Sequence, residues 1–214
     1  THWTSGTAIH TEPARFVDEC TTVFHVISHR IEHEEKELYP LVDALRAGSS
    51  SLEVDTQLVD GKLLIGHDLE QAKWWNRSLE DTYFKPLKQR IDRYGAVYTN
   101  SDAPPFTLEI EFKGDSTDSY RALKPLLHKY QNLLTRYQDG QIIEGPIHVV
   151  LTGHIPRQAR RDNPRLLAFD GSARTLLDHP ERIDRYQTPR VNGAWSDFFQ
   201  WDGQGEMSAR DMAT

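Results

Sequence analysis

The fold is decided by residues 50–67, SSLEVDTQLVDGKLLIGH. Two β-rich runs, residues 50–55 and 62–67, flank the pair Asp60–Gly61. An Asp-Gly pair between two such runs is a strong hairpin signal, because both residues adopt positive φ at low cost. The stretch therefore predicts a hairpin or tight turn whose first strand carries the carboxylates of Glu53 and Asp55.

Further strands and helices follow this hairpin in alternation. Strands are predicted at residues 106–112, 147–151 and 166–169, and two helices are predicted at apolar spacings of three and four over residues 79–94 and 120–137. Pro125 lies within the second helical pattern and predicts a kink or a late helix start. Strands that alternate with helices indicate an α/β fold with a parallel sheet, either open and doubly wound or closed into a barrel.

The first forty residues fit two interpretations, a buried strand over residues 23–27 or an apolar helical stripe. Without a Gly/Ser-rich or Pro-rich tract, the chain is expected to be a single domain, residues 1–214, with residues 1–22 as an N-terminal extension.

Composition limits the function. The 214 residues include 37% hydrophobic and 27% charged residues, a mix too rich in Trp, Tyr, Phe and Leu for a disordered chain. The formal charge of −7 argues against a dedicated nucleic-acid binder. The longest apolar runs are strand-sized, so no transmembrane segment is expected. A single cysteine excludes an internal disulfide and leaves the cellular compartment open.

Carboxylates recur at spacing two on two predicted strands. Glu53 and Asp55 share one face of the first strand, and Glu109, Glu111 and Lys113 share one face of the strand over residues 106–112. Adjacent carboxylates repel each other unless a cation compensates them, and Mg²⁺ prefers oxygen ligands of this kind. Each pattern alone is more often a solvated strand face, but their occurrence together favours a metal site.

These residues carry a family resemblance. The runs LVDALRAG (41–48), SLEVD (51–55) and LVDGKLLIGHD (58–68), with later blocks at residues 149–153, 169–171 and 199–205, resemble the PI-PLC-like phosphodiesterase superfamily. The similarity is greatest to its fungal branch, which is related to glycerophosphodiester phosphodiesterases and sphingomyelinase D-type phospholipases. The resemblance implies a TIM-barrel-like fold, one divalent cation (Mg²⁺, with Ca²⁺ as the other candidate) and a phosphodiester or lipid head-group substrate.

The resemblance also implies roles for individual residues. The implied metal ligands are Glu53, Asp55 and Glu111, and the implied substrate contacts are Lys113 and Trp201. His67 is implied to be one catalytic acid/base. The second catalytic histidine has two candidates. His29 directly follows an apolar run, whereas its rival His33 better fits the spacing to residues 40–41.

The chain departs from this branch in two places. Arg30–Ile31 stand where the branch carries Asn-Asp, and the chain stops at Thr214, where family members continue. We therefore expect a barrel that is open, shortened or completed by a second chain, which makes a homodimer one expectation. The function expected first is a metal-dependent phosphodiesterase or phospholipase D-type lyase. The alternatives are a diverged scaffold used as a binding module and a biosynthetic enzyme acting on a non-phosphate substrate.

Overall fold

The computed structural model describes residues 40–99, 104–184, 186–201 and 204–208. Residues from Ser49 onward form one compact unit, and residues 40–48, with helix α1 over 40–46, belong to another. The ambiguous segment at residues 23–27 and both His29 and His33 lie outside the described residues. The single domain over residues 1–214 stays a prediction.

A six-stranded, mostly parallel sheet forms the centre of the larger unit. Its strands are β1 (Ser51–Val59), β2 (Lys62–Ile65), β3 (Phe106–Phe112), β6 (Ile147–Thr152), β7 (Ala168–Ser172) and β8 (Arg190–Asn192), and a separate hairpin comprises β4 (Arg136–Gln138) and β5 (Gln141–Ile143). The order in the sheet is β2-β1-β3-β6-β7-β8, with every pair parallel except β1–β2. The predicted α/β class is confirmed. Within the described residues the pairing runs from β2 to β8 without closing, so the TIM-barrel-like arrangement, open or completed by a second chain, stays a prediction.

The predicted hairpin is present. Asp60 and Gly61 have φ angles of 48° and 76°, and Thr56 pairs with Ile65 in the antiparallel ladder. Two consecutive positive φ angles are those of the hairpin turns that match strand twist. Strand β1 extends to Val59, beyond the predicted end, because the turn allows residues 56–59 to pair with β2.

The helices are α1, α2 (Leu69–Trp75), α3 (Lys85–Tyr94), α4 (Ser116–Lys129) and α5 (Ala173–Asp178), and a π-helical turn, Glu80–Phe84, leads into α3. The helix predicted over residues 79–94 is confirmed, and at its start the Asp81 amide donates to Ser78 Oγ at 3.0 Å. The prediction for residues 120–137 is wrong at both ends. Helix α4 begins at Ser116, with Pro125 inside it, and it ends before the β4–β5 hairpin.

The two faces of the sheet differ in chemistry. One face carries the fully buried side chains of Leu108, Ile110, Val149, Leu151 and Phe169. The opposite face becomes polar toward the carboxyl ends of the parallel strands, where ligands commonly bind in α/β proteins. Within the described ranges, no helix has the length and apolar character required to cross a bilayer.

Candidate active site

Five parallel strands contribute one row of polar residues to the polar face of the sheet. The ladder pairs Asp55 with Glu111, Glu111 with Thr152, and Asp170 with Arg190. Thr152 Oγ1 donates a hydrogen bond of 3.1 Å to Asp170 Oδ2, which links the two halves of the row. Residues directly opposite each other in a sheet point to the same side. The row therefore forms a continuous polar surface at one level of the sheet.

An acidic cluster, comprising Glu53, Asp55 and Glu111, occupies one end of this row. The three side chains each offer a carboxylate oxygen, and these oxygens all lie within 4.8 Å of one another. Lys113 Nζ lies 2.9 Å from Glu111 Oε2 and 3.4 Å from Asp55 Oδ1. The side chains of Asp55 and Glu111 remain 28% and 27% exposed, so a small ligand can reach them.

Repulsion within the acidic cluster is incompletely compensated. Burial raises the pKa of Glu53, and the neighbouring carboxylates of Glu111 and Asp55 raise it further. A hydrogen bond to Glu111 raises the pKa of Lys113, which holds this ammonium charged. Three carboxylates and one ammonium leave two formal negative charges. A hard divalent cation with oxygen preference fits this donor set.

His67 lies in the loop between β2 and α2, and its side chain is exposed. The Gly66 amide donates to the Asp55 carbonyl at 3.0 Å, and Gln57 Nε2 donates to the His67 carbonyl at 3.1 Å. The His67 amide in turn donates to Gln71 Oε1 at 2.7 Å. The structure thus ties the backbone of His67 to β1 beside the acidic cluster. Within the described residues, no hydrogen bond or ion pair joins its imidazole to the cluster.

Gly153 allows the loop after β6 to pass close to the acidic cluster. Its φ is +72°, and a Cβ at this position would lie 3.1 Å from Glu111 Cγ. Only glycine adopts this backbone conformation without strain and also leaves room for the Glu111 side chain. The position of one predicted metal ligand therefore depends on this glycine.

Trp201 lies among aromatic residues that follow β8. Its ring centroid is 6.0 Å from that of Trp195, and its indole N–H lies 3.0 Å from the Gln204 carbonyl and 3.1 Å from the Gly205 carbonyl. No hydrogen bond or ring contact within the described residues connects Trp201 to the acidic cluster, and its substrate-binding role stays a prediction.

The sequence analysis missed the other end of the polar row. Glu109, predicted to share a face with Glu111, is 4% exposed and forms an ion pair with Arg190 of β8. Burial raises the pKa of Asp170, and its Oδ1 has no hydrogen-bond partner within the described residues. Thr152 and Asp170 each follow a run of apolar strand residues, a signal that could have identified them. The three-residue strand that holds Arg190 gives no such signal.

Comparison with known proteins shows the family of this chain. Residues 19–170 match the model of the AIM6-like phosphodiesterase domain. Curated relatives include the "Altered inheritance of mitochondria protein 6" of Candida glabrata, 29% identical over 175 residues that cover 64% of this chain and 42% of that protein. The protein of that name in Saccharomyces cerevisiae S288c is 30% identical over 136 residues, covering 55% of this chain and 34% of that protein. The Arthroderma benhamiae homologue is 30% identical over 131 residues, covering 53% and 40%.

The chain thus spans about two fifths or less of the length of these curated relatives. No solved structure matches it. The family match covers the acidic cluster, His67 and Lys113. Because the match extends over more than half of the sequence, the chain belongs to the AIM6-like phosphodiesterase domain family.

Proposed function

We propose that this chain is a divalent-cation-dependent phosphodiesterase whose acidic cluster holds Mg²⁺, with Ca²⁺ as the competing ion. The observation that carries the proposal is the charge of the cluster. Two formal negative charges remain after Lys113 is counted, and a divalent cation would neutralise them. Asp55 and Glu111 also lie near the C-terminal end of the parallel pairing between β1 and β3, the side of the sheet on which α/β enzymes of this class bind their substrates.

The chain's own residues supply acid/base chemistry and phosphate binding. When bound, the cation would polarise a phosphoryl oxygen and stabilise the negative charge that develops on it. Lys113 contacts the phosphate, because its ammonium lies beside both Asp55 and Glu111 and its side chain stays 21% exposed. His67 serves as one member of the acid/base pair, from a loop tied to β1. The second member is His29 or His33.

The reaction forms one phosphorus–oxygen bond and breaks another. One histidine accepts the proton of the attacking hydroxyl, and the other donates a proton to the departing oxygen. If water attacks, the products are a phosphate monoester and an alcohol. If a hydroxyl of the substrate attacks instead, the products are a cyclic phosphate and an alcohol.

The substrate is proposed to be a phospholipid or a glycerophosphodiester. This assignment follows the resemblance to the PI-PLC-like branch, and Trp201 is its second proposed substrate contact. The same resemblance supports a sheet that curves toward a TIM-like barrel. The chain spans only part of the length of its curated relatives. Any activity of the whole protein is therefore also part of this proposal.

Cation binding can be tested without any substrate. We expect Mg²⁺ to stabilise the wild-type chain by about 2.7 kcal/mol at a hundredfold excess over its dissociation constant, measured by urea denaturation with Mg²⁺ and with EDTA. Glu53→Gln removes one of three mutually repelling charges. It should therefore retain or increase stability in EDTA while losing the Mg²⁺ response.

Glu70→Gln, at an exposed position in the first turn of α2, is the matched control and should respond like wild type. An equal Mg²⁺ response in wild type and Glu53→Gln would refute the site.

A further inference from the structure

A cleft of about 730 Å³ opens where β3 and β6 end. Its lining includes His154, Arg157 and Arg161 from the segment after β6, and Ser116 and Thr117 from the first turn of α4. We call this the basic cleft. The three residues from the segment after β6 are exposed, so the cleft is open to solvent.

The basic cleft begins beside the acidic cluster. His154 directly follows Gly153, and a Cβ on Gly153 would lie 3.1 Å from Glu111 Cγ. Consecutive Cα atoms are about 3.8 Å apart, so the cleft starts one residue beyond the glycine that packs against Glu111. On the other side, Ser116 follows Lys113 by three residues. A substrate held at the acidic cluster can therefore extend into the basic cleft.

The charge of the basic cleft is not neutralised by the protein. Its acidic lining residue, Asp162, is already engaged by Lys124 Nζ at 2.8 Å and by the Tyr120 hydroxyl at 2.5 Å. Arg157 and Arg161 form no ion pair with any residue that the structure describes. Two uncompensated guanidinium groups thus line one cleft in a chain whose formal charge is −7.

Two neighbouring arginines, by contrast, have structural partners. Arg165 is 4% exposed, and its guanidinium lies 4.7 Å from the ring centroid of Tyr137 and 5.0 Å from that of Phe169. The Arg160 guanidinium lies over the ring of Phe169 as well, 4.4 Å from its centroid. These cation–π contacts account for both side chains. Nothing comparable in the described residues accounts for Arg157 and Arg161.

We infer that the basic cleft binds a second anionic group of the substrate, a phosphate monoester. Guanidinium groups bind phosphate through paired, charge-assisted hydrogen bonds, and a phosphate monoester carries close to two negative charges at neutral pH. The hydroxyls of Ser116 and Thr117 add neutral donors to the lining. The inference rests on the proposed function and adds a preference for phosphodiesters that carry a further phosphate.

The first test measures binding alone. Inorganic phosphate is titrated by calorimetry into the full chain in EDTA, which removes any contribution from a bound cation. We compare wild type with the double variant Arg157→Gln/Arg161→Gln. The control is Arg121→Gln, an exposed arginine of α4 that is paired with Asp118. Because exposed charge-assisted hydrogen bonds are lost, we expect phosphate binding to weaken about tenfold or more in the double variant and to be unchanged in the control. Equal affinity in wild type and the double variant would overturn the inference.

The second test measures selectivity. Glycerophosphoinositol and its 4-phosphate are compared as substrates by ³¹P NMR in the presence of Mg²⁺. We expect wild type to prefer the phosphorylated compound about tenfold in kcat/KM, since it gains the charge-assisted contacts, and we expect the double variant to lose that preference. Equal turnover of both compounds by wild type would overturn the inference and keep the proposed function. Phosphate binding that depends on both arginines, without turnover of either compound, would overturn the proposed function and the substrate assignment, and leave an anion site.

Discussion

Substituting Gly153 with alanine tests whether the loop after β6 positions Glu111. The substitution has two separate costs. The φ of +72° is unfavourable for any residue with a Cβ, by about 1–2 kcal/mol. The new Cβ would also lie 3.1 Å from Glu111 Cγ and 3.2 Å from Glu111 Oε1, so the carboxylate must move.

Gly140→Ala separates these two costs. Gly140 has nearly the same φ, +77°, and a Cβ there would have no neighbour within 4 Å. Both variants should lose about 1–2 kcal/mol of unfolding free energy in EDTA, measured by urea denaturation. Gly153→Ala should in addition lose Mg²⁺ affinity. A tenfold loss reduces the stabilisation at a fixed Mg²⁺ concentration from about 2.7 to about 1.4 kcal/mol. Equal Mg²⁺ responses in the two variants would refute the positioning role of Gly153.

Three further predictions concern the structure around the site. Arg190→Met should cost about 3 kcal/mol of unfolding free energy in urea denaturation, because it leaves the buried Glu109 carboxylate without its ion partner. Burial lowers the pKa of His148. The unfolded chain therefore binds more protons as pH falls through about 6.5, so stability should fall there, and His148→Gln should reduce that slope in denaturation curves measured between about pH 5 and 7.5. Gly66→Ala should lower the melting temperature, since the new Cβ would lie 2.6 Å from the Ala72 amide nitrogen and displace α2. The expected loss of unfolding free energy is about 2 kcal/mol.

Controls for these variants come from exposed positions. Arg182→Met removes an exposed arginine paired with Glu181 and should change stability by less than about 1 kcal/mol. A similar loss in Arg182→Met and Arg190→Met would contradict the importance of the buried pair. A pH slope unchanged by His148→Gln, or a melting temperature unchanged by Gly66→Ala, would contradict the respective argument.

Part of the acidic cluster was predictable from local signals, and Glu111 was added through the family resemblance. Spacing two on a strand places Glu53 beside Asp55, and the parallel register of β1 and β3 then brings Glu111 opposite Asp55. The Asp60–Gly61 turn likewise specifies its own backbone conformation. For the Glu53–Asp55 pair and for the turn, a few adjacent residues determine the geometry, and the outcome needs little information about the remaining chain.

The other end of the polar row was not predictable, since it depends on contacts distant in sequence. Glu109 meets Arg190 across 81 positions, through three intervening strand pairings. The apolar spacing over residues 120–137 predicted one helix because leucine and tyrosine suit helix and strand alike. Asp139 and Gly140, with φ angles of 51° and 77°, instead form the turn of a second Asp-Gly hairpin, so the C-terminal part of this segment is not helical.

The most direct test of the central claim is the cleavage of a phosphodiester by the acidic cluster. Glycerophosphocholine and glycerophosphoethanolamine are incubated with the Mg²⁺-loaded full chain, and ³¹P NMR follows the phosphorus signal. We predict that the diester signal is replaced by that of a monoester or a cyclic phosphate. Asp55→Asn and His67→Ala should each reduce the rate about 10²-fold or more, and Glu70→Gln should leave it unchanged. Turnover that persists at the wild-type rate in Asp55→Asn, or in EDTA, would contradict the claim.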